Sequence, residues 1–418
     1  MSRWLVAAGG VALMACLGTV YAWSVFTQPL QAAFGWTSAQ ATAPFSIAIF
    51  FLGVGAVLGG RWQDRVGPRP VAVTGALLWG AGNLLAGVGT ATFGVAWLCA
   101  TYGVLGGLGL GLGYVTPVAA VTKWFPDRRG LGSGLVVGGF GLGAFGYAHL
   151  LRSFPAFAGG AAVGGAAAEA VLRAFTVSGV AFALLGGAGA MLVRNPPVAS
   201  PATAGAAGGG GDFTPGEMVR TPQFWAAFGM LLLNVTAGIL FISNAVPIMR
   251  ELTGATPAVA AGVYGTIALA NAVGRFLWGA VSDRIGRRAA FAAIYLLQVA
   301  VFVVVGRLHS IWVVAPLFAL VLLCYGGGFG VMPSLVADWF GTRHLGVNYG
   351  WVLLAWSLAG VAGPGFVAVV KDRTGSFAGA LPVTAGVLLV AVLLPVVVRG
   401  PGDAKSVPGR TGRGGRGR

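Results

Sequence analysis

The chain has 418 residues, of which 57% are hydrophobic and only 9% are charged, and its mean hydropathy is +0.84. A soluble protein needs about a quarter or more of its surface positions charged, so these values exclude a water-soluble protein and indicate that lipid is the main solvent. The formal net charge of +16 fits either a nucleic-acid partner or a membrane surface, and the positions of the charges decide between them.

Stretches without Asp, Glu, Lys or Arg predict twelve membrane-spanning helices, because a helix needs about 20 residues to cross the hydrocarbon layer. Residues 4–60 and 70–122 are each long enough for two spans. Eight further runs hold one span each: 130–151, 174–193, 221–249, 252–274, 289–306, 308–337, 344–370 and 374–398. Runs such as residues 181–185 (AFALL) lack the alternation of a membrane barrel strand. An all-α membrane protein is therefore predicted.

The distribution of basic residues predicts the orientation of these spans. If the N-terminus is cytoplasmic, the inner loops and tails carry 19 of the 26 Lys and Arg residues, the outer loops carry six, and Arg275 lies within a span. By the positive-inside rule, both termini are predicted to be cytoplasmic, in a bacterial inner membrane or a plasma membrane. The basic end, residues 410–418, resembles an RNA-binding tail, but a disordered segment beside anionic lipid explains it more simply. We expect no nucleic-acid partner.

Two sequence patterns occur twice and divide the chain into halves. Residues 60–69 (GRWQDRVGPR), after the second span, reappear 219 residues later as residues 279–288 (GAVSDRIGRR), after the eighth. Residues 121–125 (VTKWF) likewise correspond to residues 336–340 (VADWF). The predicted organisation is a six-helix lobe (1–193), a flexible cytoplasmic linker (194–220), a second six-helix lobe (221–398) and a basic disordered cytoplasmic tail (399–418).

The pattern G-x-x-x-D-R-x-G-x-R/K in residues 60–69 and 279–288 resembles the signature of the major facilitator superfamily, and the resemblance extends over essentially the whole chain. It implies a carrier with two pseudo-symmetric lobes that exposes a central site to one side of the membrane and then to the other. It also implies that the acid and arginine of each copy latch the cytoplasmic helix ends together. The matching residues are Asp64, Arg65, Asp283 and Arg284. Alternatively, these charges only anchor loops among lipid headgroups.

Three shorter strings resemble the oxalate/formate antiporter branch and its relatives among the monocarboxylate transporters. They are residues 21–26 (YAWSVF), 221–225 (TPQFW) and 271–276 (NAVGRF). The third string contains Arg275, which lies deep within the eighth span. An arginine at that depth faces a water-filled cavity, a counter-ion or a functional anion.

The ten acids of the chain all lie in loops, tails or span ends, so no acid is available inside a span to balance Arg275. The nearest in sequence, Asp283, is eight residues away, or about 12 Å along a helix. A guanidinium suits a carboxylate, and Asn271, one helical turn earlier, lies on the same face. In the resembled family this arginine binds the substrate carboxylate. The alternative is a structural arginine that backbone carbonyls and water satisfy.

The eleventh span bears on the size and charge of the substrate. Dicarboxylate exchangers of the resembled branch carry a lysine there, and alignment from residues 348–350 places Trp356 at that position. One buried cation predicts a small monocarboxylate such as lactate, pyruvate, glycolate or formate. Lys371 and Asp372, at the outer end of this span, are candidates for coupling or gating, and an interfacial anchor is the alternative.

Polar and aromatic side chains in spans otherwise rich in Gly, Leu and Val are further candidates for substrate binding, although aromatic residues in membrane helices more often only pack. They are Tyr114, Tyr325, Phe329, Phe140 and Trp23, with Phe145 as another wall residue. Hydroxyls of buried tyrosines need hydrogen-bond partners.

Taken together, these features predict a secondary active transporter of a small organic anion, with proton-coupled symport first and anion exchange of the oxalate/formate type as the alternative. A proton-coupled sugar or drug carrier is less compatible, because no acid lies within a span. A membrane enzyme would need a grouped nucleophile and base, whereas His149, His309 and His344 are scattered. We expect no cofactor and no metal, contacts with membrane lipid, and a functional monomer.

Overall fold

The computed structural model describes residues 2–154, 157, 165–197, 211–242, 245–374 and 379–401. For residues 240, 257, 361–374 and 380 it describes the backbone alone. The described residues form helices and loops, and no strand occurs among them. The prediction of an all-α membrane protein is therefore confirmed. Residues 198–210 of the predicted linker and the predicted tail from residue 402 onward lie outside the described residues.

Twelve crossing segments, α1 to α12, follow one another in the order predicted. In the first half α1 comprises Arg3–Gly18, the 3-10 turn Thr19–Trp23 and Ser24–Phe34, followed by α2 (Ser38–Val66), α3 (Pro68–Leu98), α4 (the π-helical Cys99–Gly106 with Gly107–Trp124), α5 (Arg129–Arg152) and α6 (Gly165–Met191). In the second half α7 comprises Pro222–Ile242 with Ala245–Thr253 and α8 Pro257–Ile267 with Leu269–Ile285, followed by α9 (Arg287–Val305), α10 (Ile311–Phe340), α11 (Leu345–Thr374) and α12 (Ala380–Val397). A short linker helix, Pro215–Met218, precedes α7.

Eight helical stretches of the described residues are long and apolar enough to cross a membrane, and one of them, Pro68–Trp124, holds both α3 and α4. The α8 segment is absent from this set because a break at Ala268 divides it into helices of 11 and 17 residues. The break lies between the outer part of α8 and the part that carries Arg275.

The helices pack as two lobes of six. In the first lobe α3 packs against α4 and α6, α2 against α4, and α1 against α5; in the second α8 packs against α10, α7 against α11, and α9 against α12. Two helix pairs join the lobes, α2 with α11 and α5 with α8. These pairs are related by the internal repeat, since α2 corresponds to α8 and α5 to α11.

The repeated motif forms the same turn in both lobes. Gly67, between α2 and α3, has φ 91° and ψ 167°, and Gly286, between α8 and α9, has φ 88° and ψ 153°. Such angles are essentially restricted to glycine, which explains why each copy carries a glycine here. Two residues later, the Nε of Arg69 donates to the carbonyl of Met191 (3.0 Å), and the Nε of Arg288 donates to that of Pro395 (2.7 Å).

These arginine contacts satisfy carbonyls at the C-terminal ends of α6 and α12, which would otherwise lack partners and carry partial negative charge. The last basic residue of each motif copy therefore ties the sixth helix of its lobe to the loop. We call the end of the bundle where these loops lie the charged end.

The linker returns to the second lobe at the charged end. The amide of Phe213 donates to the carbonyl of Phe340 (3.0 Å), and Asp212 accepts from the amide of Arg343 (3.1 Å). Thr214 and Glu217 then form a capping box that starts the linker helix. The hydrogen bonds from Thr214 hold the pKa of the Glu217 carboxyl below its usual range.

The turn geometry gives a stability prediction. A Gly286→Ala substitution places a side chain in a backbone conformation that costs about 1–3 kcal/mol, so we expect a lower thermal midpoint for purified protein in detergent. Gly306→Ala is the matched control, because Gly306 has φ −62° and no atom lies within 4 Å of the position that its Cβ would take. Equal midpoints for the two variants would show that the motif glycine is not required for its conformation.

Candidate functional site

Arg275 is buried in the centre of the bundle, where α8 faces α5 and α10. Its side chain has no solvent exposure. The Nε donates to Asn271 Oδ1 at 3.1 Å, and Nη1 donates to the carbonyl of Val137 on α5 at 3.5 Å. The third nitrogen, Nη2, is buried and finds no hydrogen-bond partner among the described residues. Two uncharged oxygens therefore orient the guanidinium and leave one nitrogen free.

Described residues offer this guanidinium no carboxylate. Their salt bridges involve Arg3, Arg129 and Arg287, each at the charged end, and none includes Arg275. A buried charge without a counter-ion is costly, and uncharged oxygens offset only part of that cost. The missing interaction is thus a negative charge near Nη2.

Six aromatic side chains surround Arg275, and we call them the aromatic box: Tyr21, Tyr114, Phe140, Tyr325, Phe329 and Trp356. The guanidinium carbon lies 5.2 Å from the ring centre of Phe140 and 4.8 Å from that of Phe329. Desolvated cation–π contacts of this kind contribute about 2 kcal/mol. Both lobes supply members of the box, from α1, α4, α5, α10 and α11.

Trp356 lies in the middle of the aromatic box. Its ring centre is 4.8 Å from that of Phe329, 5.3 Å from that of Tyr114 and 5.8 Å from that of Phe140. It is 1% exposed. Trp356 therefore brings an apolar surface from the second lobe against Tyr114 and Phe140 of the first.

Hydroxyl groups face the same region. Those of Tyr21 and Tyr325 lie 3.4 Å apart and join α1 to α10 across the lobe interface. The hydroxyls of Tyr114 and Tyr349 are buried and have no hydrogen-bond partner in the described part of the chain. Tyr349 lies close enough to interact electrostatically with both Tyr114 and Arg275. Two hydroxyls and the guanidinium thus converge, close enough to interact with one another, while Tyr114 Oη, Tyr349 Oη and Arg275 Nη2 form no hydrogen bond of good geometry with the described residues.

The structure brings together six of the candidates for substrate binding, whose role stays a prediction: Arg275, Asn271, Tyr114, Tyr325, Phe329 and Phe140. Nothing in the sequence singled out Tyr21 or Tyr349. Tyr21 belongs to the YAWSVF string (residues 21–26), but the string does not reveal which of its side chains faces the centre.

Trp23 does not belong to the aromatic box, which corrects its prediction as a wall residue. Its ring centre lies 4.5 Å from that of Tyr102 and 6.1 Å from that of Phe175, and its Nε1 donates to the carbonyl of Ala41 at 2.9 Å. All these partners belong to the first lobe. Residues two apart on a helix point to nearly opposite sides, so with Tyr21 facing the box, Trp23 faces the interior of its own lobe.

Two other predicted positions differ from the box in their surroundings. Phe145 packs against His149 one turn along α5, with ring centres 4.1 Å apart. Lys371 and Asp372 belong to the last turn of α11, and their side chains lie outside the described residues.

At the charged end, each motif acid accepts hydrogen bonds from a helix N-terminus of the opposite lobe. Asp283 Oδ1 and Oδ2 accept from the amides of Gly130 and Leu131, both at 2.8 Å. Asp64 Oδ2 accepts from the amide of Val347 at 3.0 Å. The first amides of a helix lack partners and carry partial positive charge. Asp283 thus caps α5, and Asp64 caps α11.

The arginines of this interface are Arg129 and Arg287 rather than the predicted Arg65 and Arg284. Arg129 Nη1 binds Asp338 Oδ1 at 2.7 Å across the lobes, and Arg287 binds both Asp283 (2.7 Å) and Asp338 (2.9 Å). Arg65 and Arg284 are exposed and form no salt bridge within the described residues.

The helix period explains this correction. The residue after a buried acid is rotated by about 100° around the helix, so it faces away from the lobe interface.

The interface is asymmetric in its charges. The first lobe carries Lys123 at the position that corresponds to Asp338, and Lys123 is near enough to Asp64 and Asp212 to interact with both. Salt bridges therefore link Asp283 and Asp338 to arginines, whereas Asp64 has a hydrogen bond to Val347 and a nearby lysine.

Comparison with known proteins agrees with this architecture. A family model described as Major Facilitator Superfamily matches residues 8–244 and 234–416. The oxalate:formate antiporter of Oxalobacter formigenes is 29% identical, over 90% of this chain and 86% of its own. Apicoplast pyruvate carrier 1 of Toxoplasma gondii is 28% identical, over 82% of this chain and 79% of its own. The crystal structure of the fucose:proton symporter of Escherichia coli aligns with a TM-score of 0.70, at 17% identity, over 95% of this chain and 99% of that one.

The contacts of Asp283 lead to a prediction about the lobe interface. Charge-assisted hydrogen bonds contribute about 1.5–3 kcal/mol each, and an Asp283→Asn substitution removes the charge that Gly130, Leu131 and Arg287 share. We expect the charged end to open more often. Spin labels on Val66→Cys and Ile285→Cys, one in each lobe, report the separation by double electron–electron resonance.

The population at long separations should rise roughly tenfold, because 1.4 kcal/mol changes an equilibrium by that factor. Asp127→Asn is the matched control, since Asp127 pairs with Arg3 at 2.9 Å in the same lobe. A distance distribution that Asp283→Asn leaves unchanged would show that this cap does not hold the lobes together.

Proposed function

This chain belongs to the major facilitator superfamily, and we propose that it carries a small monocarboxylate of the lactate, pyruvate, glycolate or formate type across the membrane by alternating access. The family and the helices establish a multi-pass membrane transporter. The finer assignment depends mainly on one observation: the buried Nη2 of Arg275 has no hydrogen-bond partner and no carboxylate among the described residues.

A carboxylate at Nη2 completes the site electrostatically. It neutralises the buried charge and accepts hydrogen bonds from the guanidinium in the geometry that arginine favours. The hydroxyls of Tyr114 and Tyr349, which form no hydrogen bond of good geometry with the described residues, are available to a second substrate oxygen. The apolar faces of Phe140, Phe329 and Trp356 enclose the remainder of the substrate, which must be small and mostly uncharged.

The charge of the aromatic box supports one carboxylate rather than two. Arg275 is the basic residue of the box in the described part of the chain, and Trp356 stands at the position predicted to carry a lysine in dicarboxylate exchangers. A second carboxylate there would lie against an indole ring and remain unpaired. The relatives' names agree with a small organic acid, since one is a pyruvate carrier and another exchanges oxalate and formate.

Neutralisation of Arg275 explains how the substrate controls the transport cycle. An empty site retains a bare positive charge, which favours hydration and opposes closure. A bound carboxylate removes that charge and allows the lobes to close around it. We propose that Asp64 and Asp283 act as the latch that holds the charged end shut, with Arg129 and Arg287 as the arginines of the latch.

The distribution of basic residues supports a cytoplasmic location for the charged end and for both termini. Coupling to protons is proposed as the mode of transport. The described box has no acid that would carry a proton, so we propose that the proton travels beside the substrate anion, on Asp372 or through Lys371, and that the combined transfer is electroneutral. Lys371 and Asp372 are proposed to take part in coupling or gating.

Anion exchange is a second candidate because the oxalate:formate relative is an antiporter. The two modes differ in one measurement. A proton gradient, acid outside, accelerates net uptake by a symporter. An exchanger instead requires a second anion inside the vesicle, and its rate of uptake does not depend on the proton gradient.

The role of Arg275 is tested by uptake of labelled pyruvate, lactate and formate into proteoliposomes. An Arg275→Gln substitution should reduce uptake to the level of protein-free vesicles, because the substrate loses its only positive partner in the described box. Arg275→Lys should retain partial activity, since it keeps the charge but loses the paired donors. Arg307→Gln, which removes an exposed loop arginine, serves as the control. Wild-type rates in Arg275→Gln would refute the site.

Trp356 is tested by the selectivity of the same transport reaction. A Trp356→Lys substitution adds a second cation to the aromatic box, so we expect oxalate to inhibit pyruvate uptake at concentrations roughly tenfold lower than in wild type. Trp356→Phe keeps the apolar wall and should preserve the preference for monocarboxylates. If oxalate competes equally well with the wild-type protein and with Trp356→Lys, this side chain does not determine selectivity.

A further inference from the structure

Arg152 lies at the opposite end of the bundle from the charged end, in the last turn of α5. Its side chain is exposed. None of the salt bridges within 4 Å among the described residues includes Arg152; they involve Arg3, Arg129 and Arg287 at the charged end. Arg152 therefore presents its charge without a described acidic partner, as Arg275 does at the centre.

The Arg152 side chain reaches across the lobe interface to α8. Its Nη1 lies 3.3 Å from the position that a Cβ on Gly265 would occupy. The guanidinium thus packs on backbone that carries no side chain. Because α5 and α8 are one of the two helix pairs that join the lobes, this contact lies between the lobes.

One face of α8 connects this contact with the central site. Tyr264, Asn271 and Arg275 are spaced by seven and four residues. Ala268, at the break between Tyr264 and Asn271, keeps helical angles (φ −59°, ψ −25°), so the three side chains stay near one stripe of α8. Tyr264 is close enough to interact electrostatically with both Arg152 and Tyr325. Polar groups therefore continue from Arg152, past Tyr264, to the Tyr21–Tyr325 pair of the aromatic box.

The two arginines are too far apart to share one small ligand. Gly265 and Arg275 are ten residues apart, or about 15 Å along α8. Pyruvate or lactate spans only a few ångströms, so one carboxylate contacts one guanidinium at a time. Arg152 and Arg275 lie on the same interface but too far apart to bind one anion together, so an anion would bind first to one and then to the other.

A purely structural role for Arg152 would be a favourable charge at the C-terminus of α5. That role requires only proximity to the helix end. The helix-end role does not require the guanidinium to pack against Gly265 of the other lobe. It also does not require Tyr264 to lie between Arg152 and the aromatic box.

We infer that Arg152 forms a second carboxylate-binding site at the mouth of the cleft between α5 and α8, which receives the monocarboxylate before it passes Tyr264 and reaches Arg275. This inference rests on the proposed function. Arg152 then captures the substrate, and Arg275 holds it while the lobes close.

The test compares Arg152→Gln and Arg152→Lys with wild type in the proteoliposome assay with labelled pyruvate, at low and high ionic strength. Loss of a charge-assisted contact should raise KM roughly tenfold in Arg152→Gln while kcat stays within about twofold. Salt screens exposed charges, so the wild-type KM should rise with ionic strength and that of Arg152→Gln should change less. Arg152→Lys should restore most of the difference.

Two further variants separate capture from stability. Gly265→Val keeps the charge but displaces the guanidinium, and it should raise KM as Arg152→Gln does. Arg173→Gln removes an exposed arginine of α6 at the same end and should leave KM unchanged. A KM for Arg152→Gln equal to that for Arg173→Gln, with the same salt dependence, would overturn the inference while the proposed function stands. Wild-type protein that transports no monocarboxylate would overturn both.

Discussion

The Arg275 guanidinium carries a full positive charge in the centre of a membrane protein, and the described residues around it supply two uncharged oxygens and two aromatic faces. These contacts orient the charge without cancelling it. The chain has only ten Asp and Glu residues, and those whose side chains the structure describes lie in loops or near helix ends. Under the proposed function, the carboxylate of the substrate is the remaining partner.

The same two helices carry the charge and the inter-lobe contacts. On α8, Arg275 lies about two turns before Asp283. On α5, the amide of Gly130 donates to Asp283, and Phe140 lies ten residues later on the same helix. Between these levels, the hydroxyls of Ser133 on α5 and Ser334 on α10 lie 3.0 Å apart. A change in the charge state of the site is therefore transmitted, under the proposed mechanism, along helices that already hold the charged end together. No separate relay is required.

The sequence predicted the features that depend on composition and repetition. Charge-free runs predicted the helices, the duplicated motif predicted two lobes, and the isolated Arg275 predicted the centre of the site. Features that depend on local helix geometry were not predictable. Tyr21 rather than Trp23 faces the site because the two side chains lie on opposite sides of α1, and the sequence does not show which side faces the centre. Arg129 and Arg287 replace Arg65 and Arg284 because side chains next to an interfacial acid face away from it.

The central claim is that a single carboxylate completes Arg275, and a structure of the purified protein with saturating pyruvate tests it most directly. The account predicts one bound molecule inside the aromatic box, with a carboxylate oxygen within about 3 Å of Arg275 Nη2 and its methyl group against Trp356 or Phe329. An Arg275 side chain paired with a protein carboxylate in that structure, or a box that holds no substrate while pyruvate occupies another part of the transporter, would contradict the account.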